Sequence, residues 1–182
     1  MPVKHQMTVW VVVLAAALSY GIVFLILAQQ DTPQKNIVEN QAVQSLPALT
    51  FYDAAGKAAT LADFKGQPLV VNLWATWCPP CVGELPSLDR LQAKMKGKLK
   101  VVTISTDRGD DMSAVTKFLH KQRIEHLSPY WDKDRQAMEA FEADNLPVSF
   151  LVSRDGTIIK RLDGPAVWDK GDMLKDIQAL AK

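Results

Sequence analysis

Apolar positions run from Val9 to Ala28, relieved only by Ser19, Tyr20 and Gly21, and no charge interrupts them. About 20 such residues span a bilayer's hydrocarbon core as a helix. A cleaved secretory leader would have a shorter apolar core of about 7–15 residues with an Ala-x-Ala site behind it. Only Ala17-Leu18-Ser19 comes near such a site. The stretch therefore reads as an uncleaved anchor over 9–28, with 1–8 on the cytoplasmic side because Lys4 and the free amine precede it. Residues 29–45 are polar, rich in Gln and Asn and without period, which is the pattern of a tether.

From Leu46 the pattern becomes that of a folded domain, 46–182. Two short alternating runs, Ala48–Tyr52 and Lys57–Leu61, flank Asp53-Ala54-Ala55-Gly56 and predict a β-hairpin. The turn signal Gly66-Gln67-Pro68 opens the Val- and Leu-rich run Leu69-Val70-Val71-Asn72-Leu73, a buried strand. A helix follows from Pro79 to about Met95, since Pro is suited to a first helical turn. Leu99–Ser105 predicts a second buried strand. Asp110-Asp111 can cap a helix over Met112–Gln122, with Val115, Phe118 and Leu119 on one face. A weaker strand is expected over Leu127–Trp131 and a helix over Arg135–Ala143. Val148–Val152 and Thr157–Leu162 then form a hairpin across an Asp-Gly turn, and Gly171–Ala181 closes the chain as an amphipathic helix. Strands alternating with helices predict an α/β domain whose central mixed sheet is covered on both faces.

Composition narrows the function. The net charge of +1 carries no clustered basic surface of the kind nucleic acid requires, so no nucleic-acid partner is expected. Both cysteines of the chain, Cys78 and Cys81, fall where the first buried strand gives way to its helix. A C-x-x-C beside a βα pattern reads as a redox pair. A zinc site wants a second such pair or a His pair, and His5, His120 and His126 stand alone, so no metal is expected. The first thiol sits at a helix N-terminus, where partial positive charge and free N–H groups favour thiolate.

Trp77-Cys78-Pro79-Pro80-Cys81, with an apolar strand before it and Leu146-Pro147 ahead of a hairpin, resembles the thioredoxin superfamily. Cys78-Pro79-Pro80-Cys81-Val82-Gly83-Glu84-Leu85-Pro86 is similar to its TlpA/ResA branch. The likeness covers Leu46 to the end of the chain, and it implies a thioredoxin-like fold with an N-terminal hairpin extension. It further implies a membrane-anchored thiol–disulfide reductase whose only redox group is the Cys pair, without a cofactor. Cys78 would be the nucleophile, Cys81 the resolving thiol and Glu84 its general base; Trp77, Pro79, Pro80, Leu146 and Pro147 would meet the substrate. The resemblance also implies a cis Leu146–Pro147 bond against the Cys pair. Thioredoxin carries Asp on the central strand where this chain has Asn72, and relatives often carry Thr where it has Val148.

The implied partners are exported proteins bearing a Cys pair: apocytochrome c, a copper chaperone or an oxidase subunit. A membrane thiol carrier of the DsbD/CcdA kind would supply electrons. The implied place is the periplasmic face of a bacterial inner membrane, with the chain acting as a monomer. Competing readings are a disulfide-forming oxidase and a Cu(I)-binding metallochaperone, since paired thiolates select soft Cu(I).

Overall fold

In the computed structural model residues 44–109 and 111–182 are described. The expected anchor 9–28, the segment before it and the tether as far as residue 43 lie outside them, as does Asp110. Among the described residues no helix is long and apolar enough to cross a membrane.

The run read as the first buried strand is β4 (Leu69–Trp74), and every residue of it is buried. It lies between parallel β5 (Lys100–Ser105) and antiparallel β7 (Val148–Val152). Being covered on both faces, these strands can be apolar almost throughout. Pleating sends Leu69, Val71 and Leu73 into one core with Val102, Ile104 and Phe150, and sends Val70 and Trp74 into the other with Val101 and Leu151. Trp74 is 1% exposed and belongs to this second core.

Beyond β5 the sheet continues through parallel β6 (Pro129–Trp131), then β2 (Thr50–Asp53) and β3 (Ala58–Thr60). These last two are the expected hairpin. It is fastened to β6 by the register Tyr52↔Trp131 and by Phe51 meeting Tyr130 edge-on at 5.1 Å. On the other side β8 (Thr157–Asp163) pairs with β7, and Gly156 at φ +92° makes the turn between them. β1 (Gln44–Ser45), the end of the stretch read as tether, pairs with the start of β8. The result is an eight-stranded mixed sheet ordered β1-β8-β7-β4-β5-β6-β2-β3.

Helix α1 (Pro79–Lys94), α2 (Ser113–Lys121) and α4 (Gly171–Leu180) pack on the Val70 face through Leu85, Leu88, Leu91, Val115, Leu119 and Ile177. The opposite face is covered by the helical turn Leu61–Phe64 and by α3 (Ala137–Ala140), with Phe141 beside it. Here the expected helix over Arg135–Ala143 is cut to four residues. Arg135 and Glu142 take φ of +57° and +48°, which a right-handed helix cannot accommodate. The Asp132 carboxylate instead receives the Gln136 and Ala137 N–H groups and fixes where α3 begins. The expected strand over Leu127–Trp131 likewise shortens to Pro129–Trp131, because the amides before it are taken by a side chain. Asp111, one of the two expected caps of α2, accepts the Ser113 N–H.

That side chain is Asp89 of α1. One carboxylate oxygen accepts the backbone N–H groups of Glu125, His126 and Leu127 at 3.0, 2.6 and 3.1 Å. Hydrogen bonds to a charged group are each worth about 1.5–3 kcal/mol, and buried amides left unpaired cost a comparable amount. Asp89→Ala is therefore expected to lower the unfolding free energy by about 3 kcal/mol or more. Denaturant titration measures this, and an unchanged midpoint would show that water satisfies the three amides equally well.

Candidate active site

Three residues, Ala75 to Trp77, carry the chain from the end of β4 to the first thiol, and one carboxylate holds them. Asp107, just past β5, accepts the Thr76 N–H at 2.9 Å and the Thr76 hydroxyl at 2.5 Å. The Ser105 hydroxyl donates to it at 2.6 Å, while its own carbonyl takes the Trp131 indole N–H. The Thr106 N–H reaches the Trp74 carbonyl and the Cys78 N–H reaches that of Ala75. Nothing in the local sequence marks Asp107, since its partner Thr76 lies 31 residues earlier. Asp107→Ala should leave the sheet intact and let the segment before Cys78 drift, lowering kcat/KM between about tenfold and a hundredfold. Steady-state disulfide exchange measures the fall, and an unaltered kcat/KM would place the rigidity of this segment elsewhere.

Cys78 is the N-cap of α1, and the Cys81 N–H donates to its sulfur at 3.4 Å. The two cysteines are joined as a disulfide, with Cα atoms 5.3 Å apart. Cys78 is 5% exposed and Cys81 is fully buried, so only the first sulfur can be approached from outside. Beside it Trp77 is 66% exposed. A groove of about 500 Å³ runs over the pair, lined by Trp77, Cys78, Pro79, Pro80 and Leu146. Those five expected site residues thus meet at one place. The Leu146–Pro147 bond is cis. Pro147 is buried and borders a neighbouring polar cavity with Asn145 and Arg161 rather than the groove itself.

Glu84 is 3% exposed, on the α1 turn that follows Cys81. One carboxylate oxygen accepts the Asn72 amide at 2.8 Å; the other accepts the Ala166 N–H and the Trp168 indole N–H, both at 2.9 Å. Asn72 therefore completes the buried carboxyl as a partner. The same Asn72 amide group donates to Ser149 on β7 at 2.8 Å, while its oxygen has no partner among the described residues. Burial pushes the Glu84 carboxyl above its ordinary value, and the donors from Trp168, Ala166 and Asn72 pull against that shift. Donors alone surround it, which suits an ionised carboxylate, an acceptor at both oxygens.

A mixed sheet with a C-x-x-C pair capping the helix that leaves its central strand, one sulfur open and one buried, is the construction of a thioredoxin-like thiol–disulfide oxidoreductase. Known proteins agree. The family model described as Redoxin matches residues 39–178. The thiol-disulfide oxidoreductase ResA of Bacillus thuringiensis subsp. konkukian is 34% identical over 119 residues, 65% of this chain and 67% of that protein. The ResA of Bacillus subtilis is 28% identical over 152 residues, 84% of this chain and 80% of that protein. Among solved structures, a candidate thiol:disulfide interchange protein DsbE from Chlorobium tepidum superposes with a TM-score of 0.69 at 26% identity, over 79% of this chain and all of that one. The chain belongs to the Redoxin family, among the TlpA/ResA-like members of the thioredoxin superfamily. Thiol–disulfide oxidoreductases of this kind work through the Cys pair itself, without a cofactor.

Proposed function

We propose that the chain reduces disulfides in exported proteins, with Cys78 as nucleophile, Cys81 as resolving thiol and Glu84 as the base for Cys81. The Cys78 thiolate attacks one sulfur of a substrate disulfide. A bond forms to Cys78 as the substrate S–S bond breaks, and the other substrate sulfur leaves as thiolate. Cys81 gives its proton to Glu84 and attacks the Cys78 sulfur, and the substrate departs as a dithiol. Two electrons pass from the chain to the substrate. The backbone of Leu146, beside the groove and next to a residue without an N–H, is available to pair with the substrate strand.

One observation carries the direction. At the first two helical positions stand Pro79 and Pro80, which have no N–H to offer the sulfur; the Cys81 N–H donates to it instead. A strong oxidant owes its potential to a heavily stabilised reduced form. With few donors the Cys78 thiolate is less stabilised, and the dithiol gives up its electrons more readily.

The likeness to ResA supports the setting: an anchor over 9–28, a tether that ends at residue 43 and the domain on the outer face of a bacterial inner membrane. There a membrane thiol carrier regenerates the dithiol, and the substrates are apocytochrome c or proteins of the oxidase copper site. Equilibration of the full-length chain in detergent with glutathione and dithiothreitol couples gives the reduction potential. A value near or below about −270 mV supports the reductase, and one near about −120 mV makes it an oxidase.

A further inference from the structure

The Glu84 carboxyl is held less by its own helix than by the loop between β8 and α4. Trp168 in that loop is completely buried, and its indole N–H ends on the carboxylate at 2.9 Å. The Ala166 N–H reaches the same oxygen, and the Trp168 N–H reaches the Ser87 hydroxyl on the next part of α1. The loop is also latched to α1. Arg90 Nε meets the Asp169 carboxylate at 2.7 Å, and Lys94 Nζ meets the Asp169 carbonyl at 2.8 Å. If packing alone explained Trp168, its N–H would need no such aim; Trp74, in the same core, leaves its indole N–H without a partner among the described residues.

We infer that Trp168 is a positioning residue for the reaction, fixing and charging the Glu84 carboxyl from the β8–α4 loop so that it can receive the Cys81 proton. This rests on the reading of Glu84 as the base. The elements around the carboxyl otherwise present groups that do not titrate: Asn72 on β4, Thr103 on β5, Ser149 on β7 and Ser87 on α1. The charged Asp169, Arg90 and Lys94 are engaged with one another. Cys81, three residues before Glu84 on α1, is the proton donor in the proposed step. An indole N–H favours the ionised carboxyl, so its loss makes Glu84 hold its proton to higher pH.

Trp168→Phe in the full-length chain removes the N–H and keeps a smaller aromatic ring in the core. Two readouts test the proposal. The first is a carboxyl-carbon NMR titration of Glu84 in the oxidised protein; its midpoint should rise by about one pH unit. The second is the pH profile of Cys81-dependent release from a preformed mixed disulfide, whose rising limb should move upward by a similar amount. In a Glu84→Gln background, which lacks that limb, the same substitution should leave the release profile unchanged. An unmoved NMR midpoint overturns the role of Trp168. A raised midpoint with an unmoved limb in the Glu84 protein, or a release profile that shifts equally in the Glu84→Gln background, overturns Glu84 as the base instead. Arg90→Gln, at an exposed position, loosens the latch without touching the indole and should raise the midpoint by less, which keeps the test open if Trp168→Phe does not fold.

Discussion

Cys78→Ser reduces disulfide exchange to the uncatalysed background. A serine hydroxyl is scarcely ionised at neutral pH, whereas a thiol at a helix N-terminus is partly thiolate. The remaining thiol cannot take over, because Cys81 has no exposed surface and the groove opens on Cys78. Cys81→Ser has the opposite signature. The open sulfur still attacks, but nothing behind it can displace the substrate, so a covalent complex with the substrate protein accumulates. Non-reducing gels of cells carrying the second variant show the complex, and mass spectrometry identifies what is held. Equal accumulation with both variants, or with neither, would remove the division of labour between the two sulfurs.

Glu84→Gln slows release from the mixed disulfide by about a hundredfold or more, the usual worth of a positioned base, and flattens its pH dependence near neutrality. The substitution is otherwise mild. Glutamine keeps an oxygen for the Trp168 and Ala166 donors, and the Asn72 amide can turn so that its unpartnered oxygen faces the new NH₂ group. Stability carries a second signature. Burial raises the folded carboxyl above its unfolded value, so the folded state binds this proton more tightly. The resulting stabilisation is complete below the ordinary carboxylate range and is lost as pH rises through the folded value. The glutamine variant lacks that decline, so it should gain on the parent between pH 5 and pH 8 in denaturant titrations. Glu84→Ala abandons three donors at about 1–3 kcal/mol each and should lose several kcal/mol at either pH.

The sequence made the central layer legible because strands covered on both faces are apolar nearly throughout. The Val- and Leu-rich runs of β4 and β5 are burial patterns that no loop would show. Pro79 marked the start of α1, and Asp155-Gly156 marked the turn between β7 and β8. What escaped has a common cause, namely partners distant in the chain. Asp107 and Asp89 look like ordinary surface acids until the fold brings Thr76 and the 125–127 amides to them. Trp168 lies 84 residues from Glu84, in the loop between β8 and α4. Asn72 stood out as a departure from thioredoxin, yet its role needed the rotamer that aims its amide at Glu84. The truncated α3 is a different failure. Arg135 and Glu142 are good helix formers that nonetheless stand at positive φ, which helix preference does not register.

The exposure of Trp77 gives this enzyme an optical reporter. Trp74, Trp131 and Trp168 are sealed in the interior, whereas Trp77 stands in water beside the sulfur pair. Its red-edge emission should therefore answer to added iodide while that of the sealed indoles does not. A polypeptide seated over Cys78 would shield it, so docking can be followed by fluorescence before any bond is exchanged.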